Sequence, residues 1–388
     1  MGFISQKSET STKPLVWVSE QGGDQCLLDA LSQVIECGAK SLMILACSSN
    51  NHSPKTLRNS LRSCPVPVCG GIFPSVFFSQ TKLDSGFIIV GFPFVISIAC
   101  YHLSSELPLD INSPVRLDGD LVRHSRDLVV FIDAMANATE AFINNLYETV
   151  GGGIDVIGGG SGSIDFKQRP CVFSRQGLLK DVALVVQMPI PIHCAVEHGW
   201  EILSGPFLVT EAEETRIQTL NYLPAFDVYK TVIEEMSSYK FLKGEFFQAS
   251  QNFPLGILGV NDDILVRDPI QVLDAELVCV GSVPVNAMVY ILKGNRATVI
   301  NAARKAGERI RSKTHSHDKT QSLGVTLVFD CVSRVLYLGE DFSLEMEAIE
   351  HGVGAECLIV GALSIGEIAN TCRGTIDLLN KSIVIGNL

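Results

Sequence analysis

Two histidines and a cysteine stand close together in the stretch MPIPIHCAVEHGW, residues 188–200, as His193, Cys194 and His198. Imidazole and thiol are side chains that coordinate metals. Here they lie among apolar neighbours, and Pro189 and Pro191 hold the segment extended. Strand alternation puts residues 193, 195 and 197 on one face and 194, 196 and 198 on the other, so the two histidines need not serve one site. The competing reading is a core or cap histidine with both nitrogens satisfied. A second set is Arg334, Glu345 and Glu367. A fixed guanidinium can pair bidentately with the carboxylate of an amino acid while a glutamate takes its amine. The alternative, favoured because charges inside a fold need partners, is that Arg334 pairs with Glu345 or Glu367 and pins strands.

Other candidates are weaker. His315 and His317 in KTHSHDK, and His52 in SSNNHSPK, read as polar loops, and His351 follows an acidic helix end. His102 and His124 are held in reserve. The run GGGIDVIGGGSG, residues 151–162, has the glycine content of a phosphate cradle, but no Lys-Ser or Lys-Thr pair follows it and no helix opens on it. It reads as a short strand, Ile154–Ile157, between two turns. The twelve cysteines include no CxxC pair, which points to reduced thiols in a cytoplasmic protein and away from zinc or redox motifs. No nucleophile elbow is present, and the expectation is a protein that is not an enzyme.

The elements that must position these residues alternate. Leu27, Leu31 and Val34 follow a helical period, with Asp24 placed to cap the start and Gly38 the end. The apolar runs SLMILAC, GFIIVGF, FVISIACYH, VALVVQM and LGVTLVFDC read as strands, and helices are expected over about 134–149, from Pro224, and over about 297–311. That mixture predicts an α/β class, with α+β as the variant, as two lobes of mixed sheets flanked by helices. No internal repeat is legible. A net charge of −12 removes nucleic-acid binding, and the basic run Arg304–Lys319 reads as a solvated helix face. No apolar run is long enough to span a bilayer.

From Gly324 the order Cys331-x-x-Arg334, Gly339, Glu345, Gly361-x-x-x-x-Gly366-Glu367 and Leu379-Asn380-Lys381-Ser382 resembles a C-terminal FIST domain. Cys69-Gly70-Gly71, the Gly158–Gly160 triplet, His198-Gly199-Trp200 and Leu223-Pro224-Ala225 resemble a FIST N domain. The resemblance implies a disordered start at 1–14, a FIST N-type ligand-sensing domain at 15–222 and a FIST C-type domain at 223–388. It implies a sensor in signal transduction, similar to a branch that carries haem b, senses nitric oxide and reports to a histidine kinase in a two-component system. His193 and His198 are then the candidate iron ligands, because haem needs an axial side chain in a large apolar pocket. The alternative is a haem-free sensor of an amino acid or other small metabolite, with Arg334, Glu345 and Glu367 as binding residues. A homodimer is an open expectation. The family has His before Asn in its closing motif where this chain has Leu379, so any contact of that His is missing here.

Overall fold

A computed structural model describes residues 2–3, 13–103, 127–242, 246–259, 263–316, 324–371 and 374–388. It is α/β, with helices packed on mixed sheets. The expected disordered start falls mostly outside the described residues, as do His124 and His317; Gly2–Phe3 pair with Trp17 and Val18.

A first unit runs β1 (Leu15–Ser19), α1 (Asp24–Glu36), β2 (Ser41–Cys47), α2 (Pro54–Arg62) and β3 (Val68–Phe73). It continues with a hairpin, β4 (Val76–Phe78) and β5 (Thr81–Leu83), and with β6 (Phe87–Phe92). The helix between β2 and β3 makes them parallel, and both are buried throughout, which is why they read as unbroken apolar runs. β6 returns antiparallel to β2 and β1 lies outside it. Asp24 does not cap α1. The N-cap is Gly23, and Asp24 turns its carboxylate to His52 Nδ1, 2.8 Å away, and to the Ser53 amide. His52 is therefore a buried side chain, contrary to the polar loop its neighbours suggest.

The same strand order recurs in a second unit. It comprises β7 (Ser97–His102), β8 (Leu128–Asp133), α3 (Thr139–Val150), β9 (Val156–Ser161), the hairpin β10–β11 (Val172–Ser174, Gly177–Leu179) and β12 (Val182–Gln187). It recurs again after β13 (His193–Glu197), with a long insertion before the unit resumes. The insertion holds β14 (Glu201–Glu213), β15 (Arg216–Leu220), α4 (Ala225–Met236), α5 (Phe246–Asn252), β16 (Leu255–Leu258), β17 (Ile264–Leu273), β18 (Glu276–Val280) and β19 (Met288–Lys293). Its strands close in the order β14, β19, β16, β17, β18, β15 into an antiparallel barrel. Then α6 (Arg296–Ser316) leads to β20 (Val325–Cys331), α7 (Val332–Leu338), α8 (Phe342–Val353), β21 (Leu358–Ser364), the hairpin β22–β23 (Glu367–Asn370, Ile376–Leu379) and β24 (Ile383–Asn387).

Each unit lends its hairpin to another unit's sheet. β10–β11 extends the first sheet beside β3, β22–β23 the second beside β9, and β4–β5 the third beside β21. Strands from both sides of residue 222 thus share three of the four sheets. The repeat is one of topology, and its trace in sequence is small. Gly70, Gly158 and Gly361 sit on matching rungs, opposite Ile44, Val130 and Val328. A Cβ at Gly158 would lie 2.3 Å from the Val130 carbonyl oxygen, and one at Gly361 2.1 Å from the Phe77 ring. The second glycine triplet is therefore inside β9 and not in a turn beside a shorter strand. Where the units meet, Phe73, Phe131 and Phe329 pack with ring centroids 5.9–6.5 Å apart.

Candidate functional site

The third unit buries a set of charges. Arg334, on α7, is fully buried, and Glu345 and Glu367 are as well. The guanidinium donates from Nη1 to the His198 carbonyl at 2.6 Å and from Nη2 to the Val299 carbonyl at 3.0 Å and to Glu345; its Nε lies 3.1 Å from Asp330. Glu367 accepts from Ser364 Oγ at 2.7 Å and from the Ser382 amide at 3.4 Å. Lys381 continues the set, 3.2 Å from Asp268 and 5.1 Å above the Trp200 ring, while Trp200 Nε1 donates to the Lys381 carbonyl. Of the two readings of Arg334, the geometry displays the internal pair with Glu345. Burial pushes the carboxyls of Asp330, Glu345 and Glu367 above their usual range, Asp330 well above it and Glu367 to about 8, and the Arg334 charge offsets this only in part.

His198 follows β13 and lies on the other side of this set. Its Nδ1 accepts the Trp200 amide at 3.0 Å, and burial, then the Arg334 charge, pull the imidazole down to about 4, so it is neutral near pH 7. It lines a cavity of about 450 Å³ together with Cys194, Glu197, Asp155, Asp263, Arg309 and Lys313. His193 does not line it. It opens β13 opposite Asn387, near the Asp127 carboxylate, whereas His198 lies just past the end of that strand. Burial raises the Cys194 thiol far above the range in which it ionises, which leaves it a small apolar wall.

Arg309 and Lys313 enter from α6. Arg309 pairs with Glu197 at 2.8 Å, and Lys313 donates to the Cys194 carbonyl at 2.8 Å. Part of the basic run expected as a solvated face thus walls a cavity. Arg309, Lys313, Asp155 and Asp263 were missed as site residues; the basic run of that helix end was a signal for the first two, and nothing in the sequence marked the two acids. Arg334, Glu345 and Glu367 do not line the cavity. A haem would need a broad apolar slot on the open side of His198. The walls there carry Asp155, Glu197, Asp263, Arg309 and Lys313, and these residues do not fit the group.

Comparison with known families assigns the FIST N domain to residues 41–222 and the FIST C domain to residues 225–370. FIST domains are sensory domains of signal transduction. No curated protein matches the chain. No helix among the described residues is long and apolar enough to cross a membrane. With a FIST N domain followed by a FIST C domain over most of its length, the chain belongs to the FIST proteins.

Proposed function

We propose that the chain is a non-catalytic sensor that binds a small zwitterion, in the first instance a free amino acid, in the cavity beside His198, and relays occupancy to a partner such as a histidine kinase. The observation that carries this reading is the presence of both charge signs in one cavity: Arg309, Lys313, Asp155 and Asp263 all line a space of about 450 Å³. A ligand carboxylate meets the cations and its ammonium the acids, and His198, kept neutral, adds a hydrogen-bonding edge without repelling either. Glu197 holds Arg309 in place before ligand arrives, which lowers the cost of ordering it on binding.

Thermal unfolding in the presence of each common amino acid tests this. A ligand at about 100 times its dissociation constant adds about 2.7 kcal/mol to stability. The expected result is a raised Tm with one chemical class of amino acid, lost in Arg309→Ala; a flat response across the panel sinks the reading. The nitric-oxide reading is checked on the same preparation by adding haemin, since a Soret band that moves with nitric oxide would restore it.

A further inference from the structure

The three units differ where the hairpins leave their sheets. The connection is residues 74–75 in the first unit and 365–366 in the third, but 162–171 in the second. Its two ends are nonetheless held as in the third unit. There, the Ile365 amide donates to the Gly160 carbonyl at 2.9 Å and the Gly160 amide to the Gly366 carbonyl at 2.8 Å. In the second unit, the Gly162 amide donates to the Ile72 carbonyl at 2.8 Å and the Ile72 amide to the Cys171 carbonyl at 2.7 Å. Residues 163–170 are thus extra chain, set between two rungs that close directly on one another elsewhere in the fold.

That extra chain encloses a cavity of about 200 Å³ over the C-terminal ends of the parallel strands β2 and β8, at the junction of two units. The carboxyl ends of parallel strands, at such a junction, are where open α/β sheets take their ligands. The loop is braced and not loose. Arg169 grips Asp165 at 2.6 and 2.9 Å and Ser163 at 2.8 Å, and Gln168 Nε2 reaches Asp133 at 3.2 Å. Asp133, on the cavity floor, is already taken by the Met135 and Asp181 amides at 3.0 and 2.8 Å. His52 is fixed by Asp24. With Arg169 spent on Asp165, the charged group left for a ligand is Lys167, and the walls beside it are Ile72, Met135 and Pro170.

We propose that residues 162–171 form a ligand site, separate from the cavity at His198, for a small organic anion: one carboxylate at Lys167 and a short apolar body on Ile72, Met135 and Pro170. The volume is below the roughly 300–1,000 Å³ of ordinary ligand pockets, which restricts the body to a short chain or a single ring.

Calorimetric titration with butyrate, 2-oxobutyrate and benzoate, on the full chain, tests it. The expected result is saturable binding of at least one of them, weakened at least about tenfold in Lys167→Ala and unchanged in Arg309→Ala; Lys167 is exposed, so the variant keeps its fold. Met135→Trp, which fills the cavity, should abolish the same binding. The proposal is overturned if none of the three binds, if binding survives both Lys167→Ala and Met135→Trp, or if it is lost in Arg309→Ala. The last outcome would move carboxylate binding to the His198 cavity, and the amino-acid response there stands or falls on its own variant.

Discussion

Arg334 can be fully buried because its guanidinium finds three backbone carbonyls and two carboxylates around it. Removing one partner of such a set leaves uncompensated buried charge, which costs about 3–5 kcal/mol. Arg334→Ala should lower the unfolding free energy read from urea denaturation by that order, and a loss below about 1 kcal/mol would show that water reaches the acids after all. Protons sharpen the same picture. The Glu367 carboxyl, pushed up to about 8 by burial, keeps a proton in the folded chain that the unfolded chain releases above about 4.5. Its stabilising effect is complete below the unfolded value and is lost as pH rises through 8. His198, pulled down to about 4, acts in the other direction: its contribution is present above 6.5 and is lost as pH falls toward 4. Of these two groups only Glu367 acts between pH 6.5 and 8. Glu367→Gln should therefore reduce the fall of Tm across that window, measured against the parent chain, and an unchanged slope would assign the fall to other groups.

At the scale of elements, β9 shows what a sequence displays and what it hides. Gly159 packs under Phe329, where a Cβ would stand 2.4 Å from the ring and 2.9 Å from Ser364 Cβ. Gly159→Ala should cost about 1–3 kcal/mol by overpacking. Gly153, with nothing within 4 Å of its added Cβ, is the control whose alanine variant should leave the midpoint almost unmoved. A chemical denaturation series on both variants decides between close approach and simple chain stiffness. The strands around β9 were legible because burial on both faces leaves long apolar runs such as VALVVQ and VTLVFDC. β9 was legible only at its start, Val156–Ile157, since glycine alone reads as a turn and the reason for the triplet being in a strand is a ring some 170 residues away. The same limit hid His52, buried by a carboxylate 28 residues earlier, and the cavity side of α6, because periodicity marks a polar face without saying what lies over it. His198 was legible as a candidate through its motif, yet apart from Glu197 the charged walls around it come from α6 and from Asp155 and Asp263, just before β9 and β17, and leave no mark near that motif.

The whole molecule is tied together by exchanged hairpins. β4–β5 pairs with β21 from near the end of the chain, and β22–β23 completes the sheet built on β8 and β9. A FIST N piece ending at residue 222 would leave the β4–β5 hairpin and β13 without their sheet, and it would bare the long edge of β9. Unpaired edges and uncovered apolar faces of that kind make a fragment aggregate or stay molten. The expectation is that the full chain unfolds in one transition, although it carries two family domains. The two tryptophans read different regions of it: Trp17 sits in β1 of the first sheet, and Trp200 lies against Tyr337 and Lys381 in the third unit. Trp17→Phe leaves fluorescence that reports on the third unit alone, while far-UV circular dichroism reports on all sheets. Coincident urea midpoints by the two probes are the signature of a single cooperative body. Two separated midpoints, or a sharp transition in the isolated piece 1–222, would show instead that the exchanged hairpins decorate two independently stable halves.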